Sequence, residues 1–494
     1  MSLLQKSFFR DGKERIRFKR TKIVATIAGK ACTSDFIRDL WQRGMDVVRL
    51  NTAHITVEEL SVAVAAVRSV SPAIAILVDT KGPNIRTSGI PAEGISLKKG
   101  ELVSISGKEG AASICVNYPS FVREVPIGSR IICDDGAAGF KVVQKEEENL
   151  ILETAFDCVV YNRKSINVPN VHLNAPALTE KDKLFLSAAI ECDIDFIAHS
   201  FVRGAEDIAA VREYLGERGK NIRIIAKIEN REGVDNLEEI LDAADGIMVA
   251  RGDLGIEIPL EEVPAIQKRL IHAAMEHAKP VITATQMLQS MENALSPTRA
   301  EVSDVANAVY DGTDAVMLSG ETAHGKHPCE AVETMARIVL QAENDSPQFI
   351  TSLKRIPESS LSTAYILDAA VNATKKLPVK AIVCGTSSGR SALVCSAVRP
   401  SVPLLATTPD AKVARQLSLS YGVFPARTEF TANPEEQAMQ TLEILRSLAL
   451  DFMDTDMIVI ISKNDAEIAR NNLICLISVG ELKTCFQGQN KETD

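Results

Sequence analysis

Eight short apolar runs recur along the chain, most of them followed by a stretch with helical spacing and each ending in charged, amide or hydroxyl residues. They cover 22–27 (KIVATI), 46–50 (DVVRL), 73–78, 196–198, 222–228, 246–250, 280–283 and 315–318. A run that is apolar throughout, without polar alternation, marks a strand buried on both faces, and strands of that kind separated by helices pair in parallel. Eight such units are what a closed (β/α)8 barrel requires. Its chemistry then belongs on the rim made by the carboxyl ends of the strands. The polar endings are therefore candidate site residues: Arg49, Asn51 and His54; Asp79, Thr80, Lys81 and Arg86; His199, Ser200 and Arg203; Lys227 and Glu229; Arg251, Gly252 and Asp253; Thr285 and Gln286; Ser319 and Glu321.

The stretch 222–258 concentrates this signal. Lys227 and Glu229 are two apart at the end of one run, so the strand period of two points them to the same side. Asp253 follows the next run, with a helical segment expected over 234–243 between them. An ammonium between two carboxylates suits a site that holds a hard divalent cation and neutralises negative charge developing on a substrate. A buried salt bridge at a barrel rim accounts for either half alone, but less well for both. The histidines offer no metal site: His324 and His327 share a loop, and His272 and His277 are five apart on a helix, off the spacing that shares a face. No GxSxG places a nucleophile. Oxygen ligands with Arg and Lys suit phosphoryl transfer, where catalysis is mostly positioning and charge neutralisation.

Between Gly89 and about Asn174 the period changes to short alternating runs (95–98, 102–105, 130–133, 140–143, 150–154) split by Gly and charge clusters, with no helical signature. An all-β module inserted after the third barrel strand is expected, placed to act as a lid that excludes water. Asp134, Asp135 and Gly136 form an acidic turn in it, and Arg163 and Lys164 stand near its return. From about Ser346 a third, open α/β domain follows. There the run 380–384 leads through Gly385, Thr386, Ser387, Ser388, Gly389, Arg390 and Ser391 into a helix, either an anion cradle of backbone N–H groups or no more than a helix cap.

Composition sets outer limits. A net charge of −10 over 494 residues disfavours nucleic acid as a partner. No apolar run reaches the length of a membrane span, and the basic N-terminal segment lacks a signal-type apolar core, so a cytoplasmic protein without a membrane partner is expected. The 10 cysteines show no CxxC spacing and read as reduced thiols.

Six motifs carry a resemblance to a known family: LNTAH at 50–54, DTKGPNIRT at 79–87, IIAKIEN at 224–230, GIMVARGDLGIEIP at 246–259, ATQMLQSM at 284–291 and PTRAEVSDVANAVYDGTDAVMLSGET at 297–322. They resemble pyruvate kinase, closely from residue 21 to about 342 and more loosely beyond. The resemblance implies an N-terminal segment (1–20), a catalytic barrel (21–88 and 174–345), an inserted β-barrel lid (89–173) and a C-terminal regulatory domain (346–494). It implies a glycolytic phosphotransferase that moves the phosphoryl group of phosphoenolpyruvate to ADP, giving pyruvate and ATP. By position, Glu229 and Asp253 would bind Mg²⁺ or Mn²⁺, and Lys227 would stabilise the transferring phosphoryl group and the enolate. Arg49 and Arg86 would clamp the phosphate. Gly252, Asp253 and Thr285 would hold the substrate, and Thr285 and Ser319 would belong to the network that protonates the enolate. Asn51, His54, Arg86, Asp135 and Lys164 would face the nucleotide. Thr386 to Ser391 resembles a sugar-phosphate effector loop, and a homotetramer is implied.

The sequence also departs from the family. The monovalent-cation ligands correspond to Asn51, Ala53, Asp79 and Thr80, so Ala53 removes a hydroxyl, and Asn84 stands where potassium-dependent members often have Glu. A weakened or altered K⁺ dependence is expected. The first strand ends Ala28, Gly29, Lys30 instead of Gly-Pro, the lid return YNRKSINVPN is poor in Gly, and Asp465 and Glu467 in the last loop would repel an effector phosphate or other anion. Two alternatives stay open at this stage: a metal-dependent enolpyruvate lyase or mutase, and a catalytically silent scaffold that binds phosphoenolpyruvate.

Overall fold

The computed structural model describes residues 19–28, 31–345, 361–429, 440–445, 452–462 and 473–489. Gly29 and Lys30, the basic segment before residue 19, and Asp465 and Glu467 lie outside the described residues. Strands β1 (Lys22–Thr26), β2 (Val47–Asn51) and β3 (Ala75–Asp79) precede the insert. The insert contributes β4 (Thr87–Ser88), β5 (Ile95–Leu97), β6 (Leu102–Ser106), β7 (Ile114–Val116), β8 (Arg130–Cys133), β9 (Ala138–Lys145), β10 (Leu150–Thr154), β11 (Cys158–Val160) and β12 (Ile166–Asn167). The chain resumes with β13 (Phe196–His199), β14 (Arg223–Ile228), β15 (Gly246–Ala250), β16 (Val281–Ala284) and β17 (Ala315–Leu318). Barrel strands pair in parallel in the closed order β1-β17-β16-β15-β14-β13-β3-β2.

The strand period decides what fills the barrel. Val24, Val47, Ala75, Leu77, Phe196, Ala198, Ile225, Met248, Ile282, Ala284, Ala315 and Met317 form the lumen cluster, while their neighbours pack outward against the helices. Two residues further along the same inward rows come Thr26 after Val24, Arg49 after Val47, Asp79 after Leu77 and Lys227 after Ile225. The site is thus the next layer of the lumen, where apolar residues give way to polar ones.

The floor is built by a repeat. Asp46, Asp195, Asp245 and Asp314 each stand immediately before a barrel strand, and each accepts from the backbone of the neighbouring one: Ile23 N (2.8 Å), Ile76 N (2.9 Å), Ile224 N (2.7 Å) and Val281 N (3.1 Å). Each also pairs with a cation, Lys19, Arg68, Arg212 and Arg399 respectively.

Helix boundaries follow local capping. Thr33 caps Ser34–Gln42, and Thr56, Thr179 and Thr298 form capping boxes with Glu59, Asp182 and Glu301. The segment expected as one helix over 234–243 is two short ones, Arg231–Asp235 and Leu237–Ala243. Asn230 accepts from Gly233 N and starts the first early, and Asn236 breaks the second from it.

The insert is organised as a seven-stranded sheet, order β12-β8-β9-β10-β6-β7-β4, with β11 and β5 as a separate ribbon. Its core gathers Phe121, Phe140, Ile131 and Leu152, and it includes a helical turn, Phe121–Glu124, that the alternating pattern did not disclose. Beyond residue 361, β18 (Val379–Gly385), β19 (Leu404–Thr408), β20 (Val423–Arg427), β21 (Met457–Ser462) and β22 (Leu473–Ser478) form a sheet in the order β20-β19-β18-β21-β22, parallel except for β22. This unit docks under the barrel: Arg415 pairs with Asp193 and Asp195, Arg399 with Asp314, and Leu419 joins the lumen cluster from below. Among the described residues, no helix is long and apolar enough to cross a membrane.

Candidate active site

The rim of β2, β3, β13 and β14 gathers one connected charge network. Asp79 is buried, and its Oδ2 accepts from Arg49 Nε at 2.7 Å while its Oδ1 accepts from Lys227 Nζ at 3.0 Å. Burial opposes its charge, but Arg49 and Lys227 outweigh burial and hold its carboxyl below the usual range. Lys227 Nζ also donates to Ser200 Oγ at 2.6 Å and lies 3.0 Å from Glu229 Oε1. Burial works against the ammonium, yet Asp79 and Glu229 prevail and raise its pKa. Lys227 therefore stays charged, anchored on three oxygens. Arg49 is fixed on its other side by Thr26 Oγ1 at 2.8 Å.

Glu229 and Asp253 are a carboxylate pair facing the same space. Burial, with Asp253 and Asp79, pushes Glu229 up to about 7 against the pull of Lys227. Asp253 is raised as well, by burial and by Asp135 from the lid. The acidic turn Asp134–Gly136 packs against the helix Arg251–Glu257 that carries Asp253. Glu229 Oε2 accepts from Phe201 N at 2.7 Å, while its buried Oε1 has no aligned hydrogen bond. A buried carboxylate beside a half-buried one, with Glu229 Oε1 held only by the Lys227 ammonium, forms a donor set suited to a hard divalent cation. Among the described residues no group of three or more His, Cys, Asp or Glu side chains forms a full protein cage. Such a cation would keep positions open for substrate or water.

The strand-end residues of β15 and β16 meet across the rim. Gly252 N donates to Thr285 Oγ1 at 2.8 Å, and Arg251 donates to Thr285 O at 2.6 Å and to Asp304 Oδ1 at 2.8 Å. Thr285 and Gln286 both adopt left-handed backbone (φ 67° and 55°). For a β-branched residue this is strained, and it is held by those bonds. Ser319 follows β17. Its N–H donates to Glu321 Oε2 at 2.7 Å and its buried Oγ has no protein partner.

Arg86 and Lys164, far apart in sequence, are neighbours because the lid's entry and return segments pair: Arg86 bridges Ser165, and Arg86 Nη1 donates to Arg163 O at 2.8 Å. Lys164 Nζ lies 3.0 Å from Asp134 Oδ2 in the acidic turn. His54 is exposed at its edge, and partial desolvation of its ring, with Arg49, Lys181 and Arg86 nearby, lowers its pKa. Asn51 pairs in register with Asp79, and its Oδ1 accepts from Ala53 N at 3.0 Å. The loop from Thr386 to Ser391 is not part of this rim. It lies at the opposite end of β14, where Arg223 donates to Ser388 O at 3.0 Å.

Sequence reasoning named Ser200 only as a strand ending and did not single out Thr26 or Glu321 as supports. Ser200 Oγ donates to Thr80 O at 2.6 Å and accepts from Lys227, which places it at the centre of the network. The polar-ending rule already marked it. Thr26 was reachable by the two-residue step from Val24.

The profile described as "Pyruvate kinase, barrel domain" matches residues 18–332, and "Pyruvate kinase, alpha/beta domain" matches residues 364–477. The chain belongs to the pyruvate kinase family. It is 43% identical over 450 residues to the pyruvate kinase of Borreliella burgdorferi, covering 90% of this chain and 94% of that one. To the pyruvate kinase of Geobacillus stearothermophilus it is 45% identical over 417 residues (82% and 71%), and to that of Bacillus licheniformis 40% over 492 (96% and 83%). As a pyruvate kinase family member the chain is a phosphotransferase of glycolysis, and neither the lyase nor the silent-scaffold reading is favoured.

Proposed function

We propose that the rim transfers the phosphoryl group of phosphoenolpyruvate to ADP with the following division of labour. Lys227, Arg49 and Arg86 hold the phosphate and take up charge as it moves. Lys227 then faces the enolate oxygen left behind. Gly252 and Asp253 receive the substrate with Thr285, while Thr285 and Ser319 supply hydroxyls to the protonation side. Asn51, His54, Arg86, Asp135 and Lys164 face the nucleotide, with Arg86 shared between the two anions. Glu229 and Asp253 hold Mg²⁺ or Mn²⁺, which when bound neutralises phosphate charge. Positioned cations are what two mutually repelling anionic reactants need. The observation that carries this reading is the Lys227 ammonium on Asp79, Ser200 and Glu229 beside a carboxylate pair raised chiefly by burial.

The monovalent site is the point of divergence. Asp79 is shared by Arg49 and Lys227, Thr80 O accepts from Ser200, Asn51 Oδ1 accepts from Ala53 N, and Ala53 brings no hydroxyl. A K⁺ ion would compete with donors already in place, which supports a reduced K⁺ requirement. Activity titrated with KCl at constant ionic strength should rise only weakly in the parent and more steeply in Ala53→Ser. Thr386 to Ser391 is read as a cradle for a sugar-phosphate or other anionic effector, and the enzyme as a cytoplasmic homotetramer.

The deciding test is pyruvate formation from phosphoenolpyruvate, ADP and Mg²⁺ in the parent and in Lys227→Met. Turnover in the parent and a loss of at least roughly a hundredfold in kcat in the variant are expected, the scale of removing one charge-stabilising donor. An active Lys227→Met enzyme would refute the role given to Lys227.

A further inference from the structure

The segment by which the chain leaves the insert crosses the loops after three consecutive barrel strands and is tied to each. After β13, Arg203 Nη1 donates to Leu173 O at 2.8 Å. After β14, His172 Nδ1 lies 2.8 Å from Glu232 Oε1. After β15, Asn167 Nδ2 donates to Glu257 Oε1 at 2.7 Å. Each loop also bears on the carboxylate pair. The β13 loop supplies the Phe201 N–H that fixes Glu229, Glu229 stands three residues before Glu232, and Asp253 stands four before Glu257.

The third tie matters most mechanically. Helix Arg251–Glu257 has seven residues and no side-chain N-cap, so its own hydrogen bonds do little to hold it. Asp253 and Glu257 are i and i+4 on it and share a face. With Arg251 and Gly252 tying the start of the helix to Thr285 and Asp304, a bond on Glu257 at its end helps set its rotation and with it the aim of Asp253. The strap joins the insert's core through Ile166 and Val168 but is not packed solid against the barrel loops. Beneath it lies a cavity of about 550 Å³ lined by Ile85, Val168, Phe201, Arg203, Asn230 and Glu257, among others. A strap separated from the barrel loops by a cavity can shift together with the insert without repacking the barrel core.

We propose that Asn167 is a positioning residue for the divalent-metal carboxylates: the lid's return strand, through the Asn167–Glu257 bond, holds Asp253 toward Glu229 and so couples lid position to metal binding. The inference rests on reading Glu229 and Asp253 as the metal pair. Coupling of this kind is reciprocal, so metal must also hold the strap.

The test uses the full chain without substrates. Free Mn²⁺ is followed by electron paramagnetic resonance in the parent, Asn167→Leu, Asn167→Gln, Glu257→Leu, the Asn167→Leu/Glu257→Leu double variant and Glu229→Gln. In Asn167→Leu the Mn²⁺ Kd should rise roughly tenfold, the scale of losing a bond behind a metal ligand. Asn167→Gln should recover part of it, and the double variant should be no weaker than the worse single variant. Mn²⁺ should slow hydrogen exchange over 166–174 in the parent and not in Asn167→Leu, a change that a merely structural role would not produce. Parent-like Mn²⁺ affinity in Asn167→Leu, with binding lost in Glu229→Gln, overturns the positioning role alone. Parent-like affinity in Glu229→Gln overturns the metal-pair reading and the inference together.

Discussion

Lys227 and Glu229 show how much one buried residue depends on its neighbours. The same burial that penalises both charges leaves Lys227 protonated, because Asp79 and Glu229 face it, and raises Glu229, because Asp253 and Asp79 face it. A divalent cation needs the deprotonated carboxylate, so binding must displace a proton where Glu229 holds one. Mn²⁺ added to the metal-free protein in weak buffer should release protons well below pH 7 and almost none well above it. For stability the sign follows from a folded value above the unfolded one. The contribution of Glu229 to the metal-free fold is fully present below its unfolded value of 4.5 and is lost as pH rises through about 7. Thermal scans across that window should show this loss in the parent and not in Glu229→Gln. The residue scale was also where sequence reading went furthest. Lys227, Asp79 and Arg49 were named because each ends an apolar run, and the rim brings these three together. It stopped short at Ser200, whose central place depends on a register between β13 and β3 that no local pattern expresses.

At the scale of elements, strands were legible and their partners were not. A continuous apolar run announces a strand buried on both faces, whereas the two-residue strands β4 and β12 contain too few side chains to show any period. The lid return illustrates a further limit. Its poverty in Gly was visible, but not the backbone that results: Arg163 and Asn170 adopt left-handed conformations (φ 63° and 61°). Asn tolerates this region, while Arg there carries strain of about 1–2 kcal/mol. Arg163→Gly removes that strain at an entropic cost of about 0.5–1 kcal/mol. Hydrogen exchange at Thr87 N, which donates to Lys164 O, and at Lys164 N, which donates to Thr87 Oγ1, should slow in this variant. Faster exchange would show that Arg163 is held by contacts worth more than the strain.

At the scale of the whole molecule, the barrel floor is where the C-terminal unit engages. Arg399 and Asp314 are almost wholly buried, and Asp314 also receives Val281 N and Tyr421 N. Removing the guanidinium leaves a buried carboxylate short of its partner, a loss of about 3–5 kcal/mol in comparable pairs. Arg399→Leu should therefore separate the unfolding of the C-terminal unit from that of the barrel in calorimetry. An unchanged scan would mean that Arg415 and Leu419 suffice for docking. The same floor places the loop from Thr386 to Ser391 against Arg223, at the start of the strand whose other end carries Lys227.

The sequence alone determined that this chain closes a parallel barrel, interrupts it with a β insert and ends in an α/β unit, because those conclusions rest on side-chain period, which is local. It also marked the polar residues that end the runs as belonging to one rim, because a run's ending is local too, though it passed over Thr26. Only the tertiary structure decided which of them share charge. A pKa or an ion pair depends on distances of a few ångströms between residues as far apart as Asp79 and Lys227, or Asn167 and Glu257. Those distances are set by strand register, by the way the insert returns across three loops, and by how far water is excluded. None of these is a property of any short stretch of the chain.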